Sequence, residues 1–160
     1  MSFSSDVARF GAKATSNMDI VVRRATFELG RMLINKTAVD TGLLRSSWFF
    51  GYNSDTTSTA SVDMTSYRKS KGLQSTFSVK EKRKADRQAK RDQSGGASMA
   101  RLNEWARIVE AGTVSYITNN LPYAMAIMEF GHSRQTPIAA ARTSVMQIQA
   151  MVNTFVRALP

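Results

Sequence analysis

Ile117-Thr118-Asn119-Asn120-Leu121-Pro122-Tyr123-Ala124, with Met128-Glu129-Phe130-Gly131-His132-Ser133-Arg134-Gln135-Thr136-Pro137 just beyond it, is where this chain changes from strand to helix. Ser115 to Thr118 has strand character. Asn119 and Asn120 read as turn formers, since Asn tolerates positive φ, and Pro122 presets the first turn of the next segment. A short apolar helix is predicted over Tyr123–Phe130. Gly131 is placed to stop it by taking the left-handed conformation. Thr136 then reads as an N-cap and Pro137 as the first residue of a new helix. A strand, a short helix and a long helix joined this closely read as a structural joint.

The helix after Pro137 carries the clearest periodicity in the sequence. Ile138, Ala141, Val145, Ile148, Val152, Phe155 and Leu159 recur at alternating spacings of three and four. That is a heptad-like seam, which buries one narrow face against its own sheet or adds a subunit contact. Residues 5–36 read as a long amphipathic helix, with Val7, Phe10, Ala14, Met18, Val21, Ala25, Leu29 and Met32 on one face. Ser4 or Ser5 is its expected cap, with Asp6 near the positive end of the helix dipole. Gly11 and Gly30 each lower helix propensity by about 1 kcal/mol relative to Ala, and mark close packing or a bend. A third helix is predicted over Ser98–Ala111, with Met99, Leu102, Ala106 and Val109 inward and Gly112 ending it.

Asp40-Thr41-Gly42 reads as a turn. Trp48-Phe49-Phe50-Gly51-Tyr52 has the aromatic richness of a strand, and Thr56–Met64 the partial alternation of a second, antiparallel one. The expected fold class is α+β: one domain over residues 1–160, with a small antiparallel β-sheet packed by long N-terminal and C-terminal helices and a basic insertion at 67–97.

The chain has 160 residues, enough for a substantial core, and no cysteine, which excludes disulfides and thiolate metal sites. No apolar run approaches the ~20 residues of a membrane span. Met1–Asp6 lacks a basic region followed by an apolar one, so the protein is expected to act without crossing a membrane by itself.

The net charge of +10 is concentrated. Arg68, Lys69, Lys71, Lys80, Lys82, Arg83, Lys84, Arg87, Lys90 and Arg91 share their segment with only two acids, Glu81 and Asp86, leaving the rest of the chain nearly neutral. Lys80, Lys82, Arg83, Lys84, Arg87, Lys90 and Arg91 are the candidates for docking a polyanion or partner. Three readings of this segment stay open: a solvated excursion, a clasp on an acidic neighbouring subunit or ring, and non-specific contact with double-stranded DNA. Specific readout is not expected, because no helix-turn-helix signature is present and only Phe77 interleaves an aromatic with the bases.

Groups for catalysis are sparse. His132 is the only histidine. The acids Asp40, Asp63, Glu104, Glu110 and Glu129 have no metal-ligand spacing, and Gly95-Gly96 lacks the Lys-Ser/Thr of a phosphate loop. The expectation is no enzyme, no cofactor and no metal. Glu129, near a helix C-terminus, sits where a carboxylate is electrostatically disfavoured and needs a cationic partner. Arg134 is nearest in sequence; Arg45 is the choice if the two segments meet in space. Tyr123 is expected to pack its ring and hydrogen-bond through its hydroxyl.

Two blocks carry a family resemblance. Asn119-Asn120-Leu121-Pro122-Tyr123-Ala124, Glu129-Phe130-Gly131 and Ser133-Arg134-Gln135-Thr136-Pro137 form one, and Asp40-Thr41-Gly42-Leu43-Leu44-Arg45-Ser46-Ser47 the other. In this order they resemble the HK97 gp10-like family of phage neck and tail-completion proteins, over roughly Val7–Phe155 with Tyr67–Ser94 outside. The resemblance implies a virion structural protein in the head–tail neck, assembled in the host cytoplasm. It would form a homo-oligomeric ring, a hexamer or less favourably a dodecamer. The ring would join the portal and head-closure proteins to a tail-terminator or tail-tube protein, and DNA would pass through its lumen. Glu129, Gly131, His132, Ser133, Arg134, Gln135 and Arg45 are the candidate interface residues. The alternatives are a small basic nucleic-acid-binding protein, resting on Arg68–Arg91 alone, and a tail terminator or minor tail protein.

Overall fold

The computed structural model describes residues 2–39, 42–53, 57 and 95–159. Asp40, Thr41, all of the expected strand Thr56–Met64 except Thr57, and the basic residues Arg68–Arg91 lie outside the described residues. In chain order the elements are α1 (Phe3–Lys36), α2 (Leu43–Ser46), β1 (Phe49–Tyr52), α3 (95–108), β2 (Ser115–Thr118), α4 (Ala124–Met128) and α5 (Ala140–Arg157). The two strands pair antiparallel, Phe49 opposite Thr118 and Tyr52 opposite Ser115. This small antiparallel sheet packs against the long N- and C-terminal helices, as an α+β domain should.

The core is Leu33, Ile34, Trp48, Leu102, Trp105, Val109, Met128 and Ala140. Each element contributes through a short apolar repeat. On α3 and just beyond its end, Leu102, Trp105 and Val109 are buried, with Met99 packed beside them; Trp105 takes the inward place expected of Ala106, which is half-buried. Two indoles anchor the packing through their N–H groups, which need partners once buried. Trp105 Nε1 donates to Gly51 O (2.9 Å), and Trp48 Nε1 donates to Thr37 Oγ1 (2.8 Å). Thr37 Oγ1 in turn donates to Leu33 O (2.6 Å), which closes the end of α1.

At about 1.5 Å per residue α1 is roughly 50 Å long. Its cap is Ser2 without a side-chain bond, where Ser4 or Ser5 was expected. The side of α1 turned to the core carries Gly30, Leu33 and Ile34, and Leu29 of the Val7-to-Met32 seam packs against the edge of the same core. The lower half of that seam serves a second neighbour. α5 runs antiparallel along it: Lys36 Nζ donates to Ser144 Oγ (3.0 Å) and Gln147 Oε1 (2.8 Å) at one end, and Arg24 stacks over the Phe155 ring (4.5 Å) at the other. Val21, Ala25, Leu29 and Met32 lie between these anchors and are half-buried.

The seam of α5 is also turned from its expected place. Its buried residues are Ala140, Ser144, Ile148 and Phe155. Ile148 and Phe155 were expected; Ser144 replaces Val145 because the Lys36 ammonium needs hydrogen-bond acceptors there. A straight helix also drifts about 20° per heptad from a strict seam. Among the described residues no helix is long and apolar enough to cross a membrane.

Candidate functional site

The two sequence blocks meet in space. Asn119 Nδ2 donates to Leu44 O (2.9 Å), tying the turn after β2 to α2. Gln135 Oε1 accepts the Val39 N–H (3.1 Å), tying the loop before α5 to the chain leaving α1. The Ser133 hydroxyl accepts the Gln135 N–H (3.2 Å) and so steadies that loop. Arg45 Nη2 donates to Asn35 O (3.2 Å) and Thr37 O (2.9 Å), a cation on the carbonyls that α1 leaves unpaired at its C-terminus.

Glu129 does not meet Arg45 or Arg134; it pairs with Arg142. One carboxylate oxygen accepts the Arg142 backbone N–H (3.1 Å), and the other lies 3.6 Å from the guanidinium. The reason is the start of α5. Thr136 and Pro137 do not begin the helix; Ala139 is its N-cap, left-handed at φ 54°, with no side chain able to cap. Glu129 fills that role from outside the helix. It sits at the C-terminus of α4, where its charge is disfavoured, but faces the N-terminus of α5, where charge is favoured. The backbone joins in, since Glu129 O accepts the Ala139 N–H (3.1 Å).

Gly131 is left-handed as expected, at φ 72°. It is needed for space as well: a Cβ there would lie 2.5 Å from Ile138 Cγ1. The positive φ expected at Asn119 or Asn120 is not found. Asn119 uses its side chain instead, bonding Leu44 and accepting the Leu121 N–H (3.4 Å). Tyr123 is 40% exposed, and no hydrogen bond of its hydroxyl is found among the described residues. Partial burial raises its phenol pKa. His132 and Arg134 are exposed. Gly112 has φ 82°, but α3 ends before it, at residue 108.

Four residues of this framework escaped sequence reasoning. Arg142 is capped by Glu129 through its backbone N–H and pairs with it through its side chain. Arg101 bonds the Ser46 and Trp48 carbonyls and stacks over the Phe49 ring (4.4 Å), its pKa lowered by burial. Asp19 accepts the Ala111 N–H (2.7 Å), and Arg23 donates to Val109 O (2.8 Å), pinning the end of α3 to α1. Only Arg142 carried a signal, its place in the first turn of α5; Arg101, Asp19 and Arg23 sit mid-helix and act on distant segments.

Outside this framework the surface is rich in large apolar side chains. Phe3, Val7, Phe10 and Met18 on α1, Met125 and Phe130 around α4, and Ile138, Val145, Met146 and Val156 on or beside α5 are all more than half exposed. Among the described residues no group of three or more His, Asp or Glu is placed to hold a metal ion. The candidate basic residues Lys80, Lys82, Arg83, Lys84, Arg87, Lys90 and Arg91 lie outside the described residues. Comparison with known proteins found no matching family model, no matching curated protein and no matching solved structure.

Proposed function

We propose that this chain is a structural subunit of the head–tail neck of a tailed phage, forming a closed ring, with a hexamer the expected count. The observation that carries the reading is the joint. Its two sequence blocks, which resemble a neck family, lock together through Asn119–Leu44 and Gln135–Val39. The polar side chains that meet there are spent on holding helix ends. Glu129 caps α5 and Arg45 caps α1, and this rigid frame presents Met125, Phe130 and Ile138 outward beside His132 and Arg134. Large exposed apolar surface is the mark of a surface that meets another protein. A ring needs two different complementary patches on each subunit, and this chain exposes apolar residues at both α1 and α5. The ring would join portal and head-closure proteins to the tail.

The test is electron microscopy of purified particles with mass spectrometry of their proteins. The expected result is this polypeptide at the head–tail junction in a copy number set by a ring. Its absence from particles, or a location far from the neck, would end the reading. The basic segment gives a separate test of the rival. A nucleic-acid-binding protein would bind duplex DNA with affinity falling steeply with salt, and would lose that binding when residues 68–91 are deleted. The neck reading expects only weak DNA binding by the free subunit.

A further inference from the structure

The apolar seam of α1 is one stripe with two fates. Its lower half faces α5 of its own chain. Its upper half is bare, with Phe3 85%, Phe10 76%, Met18 58% and Val7 52% exposed. The two helices run antiparallel, and Arg24 already lies at Phe155, near the C-terminal end of α5. The unbroken helix before Arg24 therefore extends past the end of α5 as an arm. It cannot turn back onto its own subunit without breaking α1.

α5 has an apolar stripe of its own left over. Beside the buried row Ala140, Ser144, Ile148 and Phe155 runs a shoulder in which Val145 and Val156 are 53% and 51% exposed, with Ala141 and Val152 half-buried between. Phe3 to Met18 and Ala141 to Val156 each cover about 22 Å of helix. We infer that the arm of one subunit lies on the α5 shoulder of a second copy of this chain, in a head-to-tail contact that repeats the α1–α5 packing found within the subunit. Four observations select a second copy as the occupant. The arm's stripe continues the one that already fits α5. The arm cannot reach its own shoulder. The two stripes match in length. Laid antiparallel, as within the subunit, Phe3 falls beside Val156, Val7 beside Val152, Ala14 beside Val145 and Met18 beside Ala141. The area is also adequate: a Phe brings roughly 150–250 Å², so Phe3 and Phe10 together supply a large part of the roughly 800 Å² per partner of a standard interface.

This contact would supply the ring's joint under the proposed function, but it stands on these exposures and is tested apart from it. Sedimentation of the full-length chain over a concentration series is expected to show self-association. Val7→Ser with Phe10→Ser on the arm should abolish it, as should Val145→Glu with Val156→Glu on the shoulder. All four positions are exposed, so circular dichroism should report an intact fold. Mixing the two variants should restore a one-to-one dimer and nothing larger, because each keeps one working patch. The chain has no cysteine, so a Phe3→Cys chain and a Val156→Cys chain should cross-link to each other on oxidation. A wild-type chain that stays monomeric and fails to cross-link overturns the inference. So does association lost only with the arm variant, which would mean that arms pair with arms. Association indifferent to both variants overturns it too, while leaving a neck ring built on other surfaces intact.

Discussion

Glu129 is one carboxylate serving two helix ends, and its two oxygens can be separated experimentally. Glu129→Ala removes the acceptor for the Arg142 N–H. Loss of an N-cap acceptor costs about 0.5–2 kcal/mol, so the urea midpoint should fall by that equivalent. Glu129→Gln keeps an acceptor oxygen and loses only the charge facing an Arg142 side chain that is 75% exposed. A pair that exposed contributes about 0–1 kcal/mol, so the Gln variant should stay close to wild type. Equal losses in both variants would mean that the ion pair, not the cap, matters. Gly131 meets a stricter demand. Left-handed backbone costs a residue with a Cβ roughly 1–2 kcal/mol, and the Cβ would also press on Ile138 Cγ1 at 2.5 Å. Gly131→Ala should therefore lower stability by at least about 2 kcal/mol, since crowding adds its own cost. Adding Ile138→Ala should recover part of that loss, because it removes the crowding and leaves the backbone term.

The glycines of α1 show how an element can contain opposite requirements. Both sit in a helix interior, where Gly is worth about 1 kcal/mol less than Ala. At Gly11 a Cβ would meet nothing within 4 Å, so Gly11→Ala should stabilise the helix by up to about 1 kcal/mol. At Gly30 a Cβ would lie 2.6 Å from Leu102 Cδ1 and 3.0 Å from Phe50 Cε1. Overpacking a filled core costs about 1–3 kcal/mol, which outweighs the propensity gain. Gly30→Ala should lower the thermal midpoint, while Gly11→Ala, in a stretch that packs on nothing, should raise helicity by circular dichroism and leave the midpoint almost unchanged; a midpoint lowered as much by Gly11→Ala as by Gly30→Ala would refute the packing argument. The sequence marked both glycines but could not tell them apart, because the difference lies in Leu102, far along the chain. The same limit explains the seams. Periodicity located α1, α3 and α5, because each buries a local repeat; β1 was legible in its aromatic run and β2 in the strand character of Ser115–Thr118 before the Asn-Asn turn. On α1 periodicity marked Leu29, which packs against the core, but not Leu33 and Ile34, because that helix has two partners and its longest stripe also faces α5. It chose Val145 over Ser144 because a lysine from another helix is invisible in a local pattern. Thr136-Pro137 is a sound helix start on local grounds, yet the loop closes three residues later, where Glu129 can reach.

At the scale of the whole molecule, α1 is one helix in two environments. Its lower half lies between the Trp48–Leu102–Trp105 core and α5, while residues 2–13 are exposed throughout. An isolated helix of that length is marginal in water, since nucleation is costly and about 12–15 residues are needed even for good formers. The arm avoids the nucleation cost by growing from a packed helix, but nothing in its own subunit holds it. Local opening free energies run from near zero at such ends to the global value in the core. Amide hydrogen exchange in dilute solution should therefore show a gradient along α1. Residues 3–17 should exchange within a small factor of free-chain rates, and residues 27–36 near the global unfolding limit. Deleting residues 1–12 should leave the melting midpoint of the body almost unchanged, because surface changes away from packed contacts stay within about 0.5 kcal/mol. Raising the concentration into the associated state should slow exchange in residues 3–17 while leaving 27–36 as they were. Uniform protection along α1 in the dilute chain would mean that the arm is held by its own subunit, and the outward-facing helix would lose its reason to seek a neighbour.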